Sequence, residues 1–201
     1  MCGLSHFSRV FRVVLDDFME GVEDMAKASF FDRPDMEAAL RLLTPANRLV
    51  MAAVLHTGRR VGDILAIRTE QLNSNTIWIT EQKTGKRSKI QLPDSILVPI
   101  RKQAGKLWAF PGRSDETKHR TRQAVWHDLH RAAKALRLEG SLGTHSGRKL
   151  YAVELMRQWR DLGAVQRDLK HSNPAVTMLY AFADQLIGRK NPKTRNRRGK
   201  A

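Results

Sequence analysis

Apolar positions recur at three- and four-residue spacing along most of the chain, and this rhythm predicts a succession of helices. Phe7, Val10, Phe11, Val14 and Phe18 form one apolar helical stripe before Gly21. Asp32-Arg-Pro34-Asp-Met-Glu is a helix start, with an acceptor side chain, a proline in the first turn and acidic residues near the positive end of the dipole. Thr44-Pro45 repeats the signal, and Leu49, Val50, Ala53 and Val54 give the next helix its buried face until Thr57-Gly58 stops it. Another helix opens at Arg59-Arg60-Val-Gly-Asp63, with Val61, Ile64 and Leu65 inward and Arg60 in its first turn, where backbone N–H groups favour an anion.

The period then changes to two. Ile77-Trp78-Ile79-Thr80, Lys83-Thr-Gly85-Lys86 and Ser88-Lys-Ile90-Gln-Leu92 predict a β-hairpin whose tip carries Lys83, Lys86, Arg87 and Lys89. Pro93-Asp94 starts a helix to about Ala104, and residues 107 to 110 are expected to add a third strand. Beyond a polar loop, Val125, Trp126, Leu129, Ala132, Ala133 and Leu136 make the core face of a long helix. Thr144 is the expected N-cap of a helix that holds His145 and Arg148 three apart on one face, with Val153, Leu155 and Met156 toward the core. Asp161 caps a helix that buries Leu162, Val165 and Leu169, and Pro174 begins one that carries Tyr180. The expected architecture is mainly α with a small three-stranded antiparallel sheet. Residues 1 to 33 form an N-terminal segment with an amphipathic helix, residues 34 to 188 the domain, and residues 189 to 201 a mobile basic tail without periodicity.

Composition adds the partner. A net charge of +16 and a pI near 10.8 point to a polyanion, because each phosphate neutralised by Lys or Arg releases condensed counterions. The charge is uneven: residues 1 to 33 hold four basic and six acidic side chains, whereas residues 189 to 201 hold seven basic and none acidic. Nucleic acid should therefore meet the middle and the tail. With Cys2 as its lone cysteine the chain has no internal disulfide and no cysteine-based metal site, which fits a reducing compartment. No apolar run approaches the ~18 residues of a membrane span, so a cytoplasmic, nucleoid-associated protein is expected.

Phosphodiester cleavage without metal needs a nucleophile, charge stabilisation at phosphorus, a proton donor and a proton acceptor. His119, His127 and His130 lack carboxylate partners at ligand spacing, so neither a metal nor another cofactor is expected. Arginine forks match phosphate oxygens two at a time, and Arg60 and Arg148 suit that role. His145, His171 and Tyr180, the last nine residues after His171, complete a set that can hold and attack a phosphodiester.

Thr57-Gly-Arg-Arg60-Val-Gly-Asp63-Ile-Leu resembles the first arginine box of the tyrosine recombinase (phage integrase) family. Lys83-Thr-Gly-Lys is similar to its hairpin lysine, His145-Ser-Gly-Arg148 to its His-x-x-Arg box, and Leu169-Lys-His171-Ser with Tyr180 to its final box. Each box alone is common; their ordered occurrence across residues 34 to 187 is specific. The resemblance implies attack by Tyr180 to give a 3′-phosphotyrosine and a free 5′-hydroxyl, without metal or ATP. It implies that Arg60, Arg148 and His171 hold the non-bridging oxygens, that Lys83 protonates the leaving oxygen, and that His145 manages the phenolic proton. Lys86 is the rival to Lys83, and Asp63 is either a buttress for Arg60 or a surface ion pair. Arg59, Lys86, Arg87, Lys89 and Lys149 are expected DNA contacts.

Gly147, Lys149 and Lys170 depart from the family pattern, which has a large apolar residue, a histidine and a glycine there. Most members also carry a helical core-binding domain before the catalytic region, where this chain has 33 residues, so either the short form of the family or a fragment of a longer integrase is implied. The implied partners are double-stranded DNA, three further copies of the chain in a tetramer on two sites, and accessory DNA-bending proteins. Relaxation of DNA in the manner of a type IB topoisomerase, or silent DNA binding on the same fold, are the alternatives.

Overall fold

The structure of the protein, a computed structural model, describes residues 29 to 169. The stripe over residues 7 to 18, the helix expected from Pro174 and the basic tail lie outside those residues. Helix α1 (Arg33–Leu42) begins where the Asp32 carboxylate accepts a hydrogen bond from the Asp35 N–H at 3.0 Å. Helix α2 (Pro45–Thr57) follows, then α3 (Val61–Leu65), a 3-10 turn (Thr69–Asn73) and the strands β1 (Thr76–Thr80) and β2 (Arg87–Gln91). Helices α4 (Asp94–Gln103), α5 (Arg122–Ala135), α6 (Thr144–Trp159) and α7 (Leu162–Leu169) complete the described order. Among the described residues no helix is long and apolar enough to cross a membrane.

Helix α2 is the central element. Val50, Met51, Ala53 and Val54 are fully buried, and α3, α4, α5 and α6 pack around them. Gly147 sets how closely α6 approaches, because a Cβ there would lie 2.9 Å from Met51 Cε and 3.2 Å from Val54 Cγ1. The family's large apolar residue does not fit this spacing. Gly147→Leu is expected to cost about 1–3 kcal/mol by overpacking, lowering the thermal midpoint by several degrees in a calorimetric scan. Gly147→Ala should be near neutral, since its gain in helix propensity offsets a shift of the flexible Met51 tip.

The strands pair antiparallel, Ile77 opposite Ile90 and Trp78 opposite Lys89. Ile77, Ile79 and Ile90 point into the core, whereas Trp78, Arg87 and Lys89 are exposed. The third strand does not form. Residues 107 to 110 make one isolated bridge, Arg68 with Trp108, because the opposing segment is a single extended residue between α3 and the 3-10 turn.

Three local expectations are also corrected. Trp126 is not in the core: it is 40% exposed and stacks on His130 at 5.1 Å. Asp128 occupies the inward stripe of α5 instead, buried and hydrogen-bonded to Thr44 and Asn47. Helix α6 is capped by Gly143, whose N–H donates to Ser146 Oγ at 3.1 Å, and Thr144 is already helical. Arg60 is the N-cap of α3 with extended backbone, one residue before the first turn.

Candidate active site

The Thr57-Gly58 turn joins α2 to Arg60, and its geometry explains the glycine. Gly58 ends α2 in the left-handed region at φ +65°, and a Cβ there would sit 2.3 Å from Tyr151 Cδ1. The turn thus needs glycine for conformation and for contact. Thr57 Oγ1 donates to Ala53 O at 2.7 Å, and Gly58 O accepts from Arg148 Nη1 at 2.7 Å. Arg148 Nη2 donates to Leu169 O at 2.6 Å, so one buried guanidinium braces the end of α2 and the end of α7. These two carbonyls help to fix the plane of the guanidinium.

The hairpin docks on α3, the helix that follows this turn. Asp63 Oδ1 accepts from the Gln82 N–H at 3.0 Å, and a Cβ on Gly62 would lie 2.7 Å from Gln82 Oε1. Next to it, Glu81 Oε2 lies 3.7 Å from Arg60 Nη1 and accepts from Thr84 Oγ1 at 2.9 Å. Gly85, at φ +66°, donates its N–H to Glu81 O at 2.8 Å and so closes the loop that carries Lys83. Lys83 and Lys86 are exposed on this loop, and Arg87 extends over the Trp78 ring at 5.4 Å.

Asp63 marks where these charges meet. Burial pushes its carboxyl above the ordinary value, the Gln82 N–H and the charge of Arg60 pull it down, Glu81 raises it, and Arg148 lowers it. The carboxylate anchors the hairpin backbone within the field of both arginines: it accepts from the Gln82 N–H, while the ion pair of Arg60 Nη1 at 3.7 Å is with Glu81. Glu81 is the residue that sequence reasoning missed. It continues the inward phase of Ile77 and Ile79, where an acid signals a buried ion pair.

On α6, His145 is half-buried in the first turn, on one face with Arg148. Tyr151, one turn further on, donates its phenolic hydrogen to Asp168 Oδ2 at 2.9 Å. Burial and the Asp168 charge hold that phenol well above its ordinary value. Arg59 and Lys149, expected as DNA contacts, are internal: Arg59 is 8% exposed and donates to Asp168 O at 2.9 Å, and Lys149 is 1% exposed with its ammonium 4.6 Å from the Phe30 ring. Arg59 anchors the end of α7, and Lys149 packs on Phe30 ahead of α1. His171 and Tyr180 lie outside the described residues. No group of three or more His, Cys, Asp or Glu suited to a metal ion occurs among those residues.

Comparison with known proteins places the chain. A sequence profile of the phage integrase family matches residues 34 to 185. A probable integrase/recombinase of Bacillus subtilis, YoeC, is 30% identical over 142 residues, covering 65% of this chain and 74% of that protein. Among solved structures, a XerH site-specific recombinase in a post-cleavage complex with its difH substrate superposes with a TM-score of 0.63 at 18% identity, over 85% of this chain and 54% of that one. A lambda integrase tetramer on a Holliday junction gives 0.62 at 18% identity, over 76% of this chain and 47% of that one. At such identities the structures establish a common fold, and the chain spans about half of each. Together with the ordered boxes, the match over residues 34 to 185 shows that the chain belongs to the phage integrase family of tyrosine recombinases.

Proposed function

We propose that this chain is a site-specific DNA recombinase that cleaves and rejoins DNA through a 3′-phosphotyrosine at Tyr180. One observation carries the reading: three segments far apart in sequence, around Arg60, Lys83 and Arg148, are tied together by the contacts of Asp63, Glu81 and Gly58. Two arginines in one pocket offset the charge that grows on the non-bridging oxygens of a pentacoordinate phosphorus. In the cleavage step the Tyr180 oxygen bonds to phosphorus while the bond to the 5′-oxygen breaks. His145 takes the phenolic proton, His171 donates to a non-bridging oxygen, and Lys83 delivers a proton to the 5′-oxygen. Rejoining runs the same step backwards, so neither metal nor ATP is consumed.

The tyrosine inventory supports Tyr180. The chain has two tyrosines, and the phenol of Tyr151 is committed to Asp168. Exposed Lys86, Arg87 and Lys89 lie on the hairpin beside the pocket, where they contact the DNA backbone. Double-stranded DNA is the substrate and strand exchange takes place in an oligomer, a tetramer on two sites, assisted by DNA-bending proteins where the sites are long. The test uses a pool of nicked duplexes with randomised arms, in which the short strand released on cleavage diffuses away and traps the covalent intermediate. Protein–DNA adducts with a free 5′-hydroxyl on the released strand are expected, and sequencing them yields the preferred site. Binding without any adduct would contradict the proposal.

A further inference from the structure

Glu81 is a charged side chain where the fold calls for an apolar one. It follows Ile77 and Ile79 on the inward face of the hairpin and is 2% exposed. A carboxylate removed from water at that depth costs several kcal/mol unless it is compensated. Arg60 Nη1 at 3.7 Å and the Thr84 hydroxyl at 2.9 Å, both on Oε2, contribute to that compensation. Thr84 directly follows Lys83. The backbone of Glu81 brackets the same loop, its N–H donating to Lys86 O at 3.0 Å and its carbonyl accepting from Gly85.

We propose that Glu81 is a positioning residue that locks the Lys83 loop to Arg60, so that the group delivering the proton and the group holding the phosphate move as one body. The inference rests on the recombinase reading above. Arg60 precedes a five-residue helix and Lys83 stands on an exposed loop, so the two groups come from separate elements that must be held in register. A single carboxylate oxygen reaching Arg60 and Thr84 supplies that register. An amide at residue 81 keeps the shape and loses the charge that Arg60 faces, and valine at residue 84 removes the hydroxyl tether at an exposed position.

The test compares two forms of the adduct-forming duplex recovered from the pool, one with oxygen and one with sulfur at the bridging 5′-position. In the second, the tyrosine–phosphorus bond forms as the phosphorus–sulfur bond breaks, and the thiolate leaves without a proton because its conjugate acid has a pKa of only about 8.5. If Glu81 places Lys83, Glu81→Gln slows adduct formation on the oxygen substrate about 10-fold or more and on the sulfur substrate by less than about threefold. Thr84→Val shows the same selectivity with a smaller loss, and Lys83→Ala sets its upper limit. Equal losses on both substrates in Glu81→Gln and Thr84→Val, or rates within about twofold of wild type on the oxygen substrate, overturn the role of Glu81. Absence of adducts from the wild-type protein on both substrates overturns the recombinase reading itself and the inference with it.

Discussion

Arg148→Lys is expected to lower the rate of covalent adduct formation about 10²-fold or more while the protein remains folded. Lysine keeps the charge but replaces a planar fork by a point donor. In the wild-type pocket Nη1 and Nη2 donate to Gly58 O and Leu169 O, which fixes the plane from which the guanidinium meets phosphate. An ammonium can reach one carbonyl or the phosphate, and loses the orientation that the transition state needs. Arg148→Ala should go further. It leaves two buried carbonyls without their donor, at about 1–3 kcal/mol each, and lowers the melting temperature as well as the rate. Lys89→Ala provides the contrast: an exposed cation on β2 should change affinity and its salt dependence while leaving the saturated rate unchanged. A lysine variant with a wild-type rate at saturating protein would remove Arg148 from the chemistry.

The second large effect concerns the scaffold. Asp128 joins α5 to the α1–α2 corner: Oδ2 accepts from the Thr44 N–H, the Thr44 hydroxyl and Asn47 Nδ2, each at 2.8 Å, and Oδ1 accepts from Arg131 Nη2 at 2.6 Å. Burial alone would raise its carboxyl, but the bonds from Arg131, Asn47 and Thr44 win and hold it at about 2, against an ordinary 3.8. Asp128→Ala strands those donors and should cost about 3 kcal/mol, or roughly 6–12 °C in the thermal midpoint. The sign of the pH dependence follows from the depressed value. The contribution, about 2 kcal/mol, is fully present above the ordinary 3.8 and is lost as pH falls through about 2. Asp128→Asn should therefore be less stable than wild type at neutral pH and lose less on acidification, as followed by circular dichroism. Identical acid profiles for the two proteins would contradict this assignment.

Periodicity was enough for most helices and for the hairpin, because the apolar stripes of α2, α3 and α5 and the alternation of β1 are local signals that tertiary packing did not override. It failed where a charge occupied an apolar phase or an apolar ring left it. Asp128 sits on the core stripe of α5 and Trp126 beside it, and counting apolar residues assigns them the wrong way round. The expected strand over residues 107 to 110 had the right composition, but a strand needs a partner, and Arg68 offers it one residue. At the site, the ordered boxes identified the groups and not their support. Arg59 and Lys149 have the residue types of DNA contacts, yet burial depends on elements that pack over them, which a single sequence does not display. The inward phase of Glu81 marks it as buried, but its partner Arg60 lies across α3, the 3-10 turn and β1, and only the folded chain pairs the two.

The nucleophile can be identified chemically. Trypsin cleaves after Lys170 and Arg189, so Tyr180 falls in the peptide of residues 171 to 189, whereas Tyr151 falls in that of residues 150 to 157. After the adduct is trapped and digested, mass spectrometry should find the nucleotide on the peptide of residues 171 to 189, and Tyr180→Phe should form no adduct. Nucleotide on the peptide of residues 150 to 157, or an adduct that persists in Tyr180→Phe, would contradict the proposed mechanism.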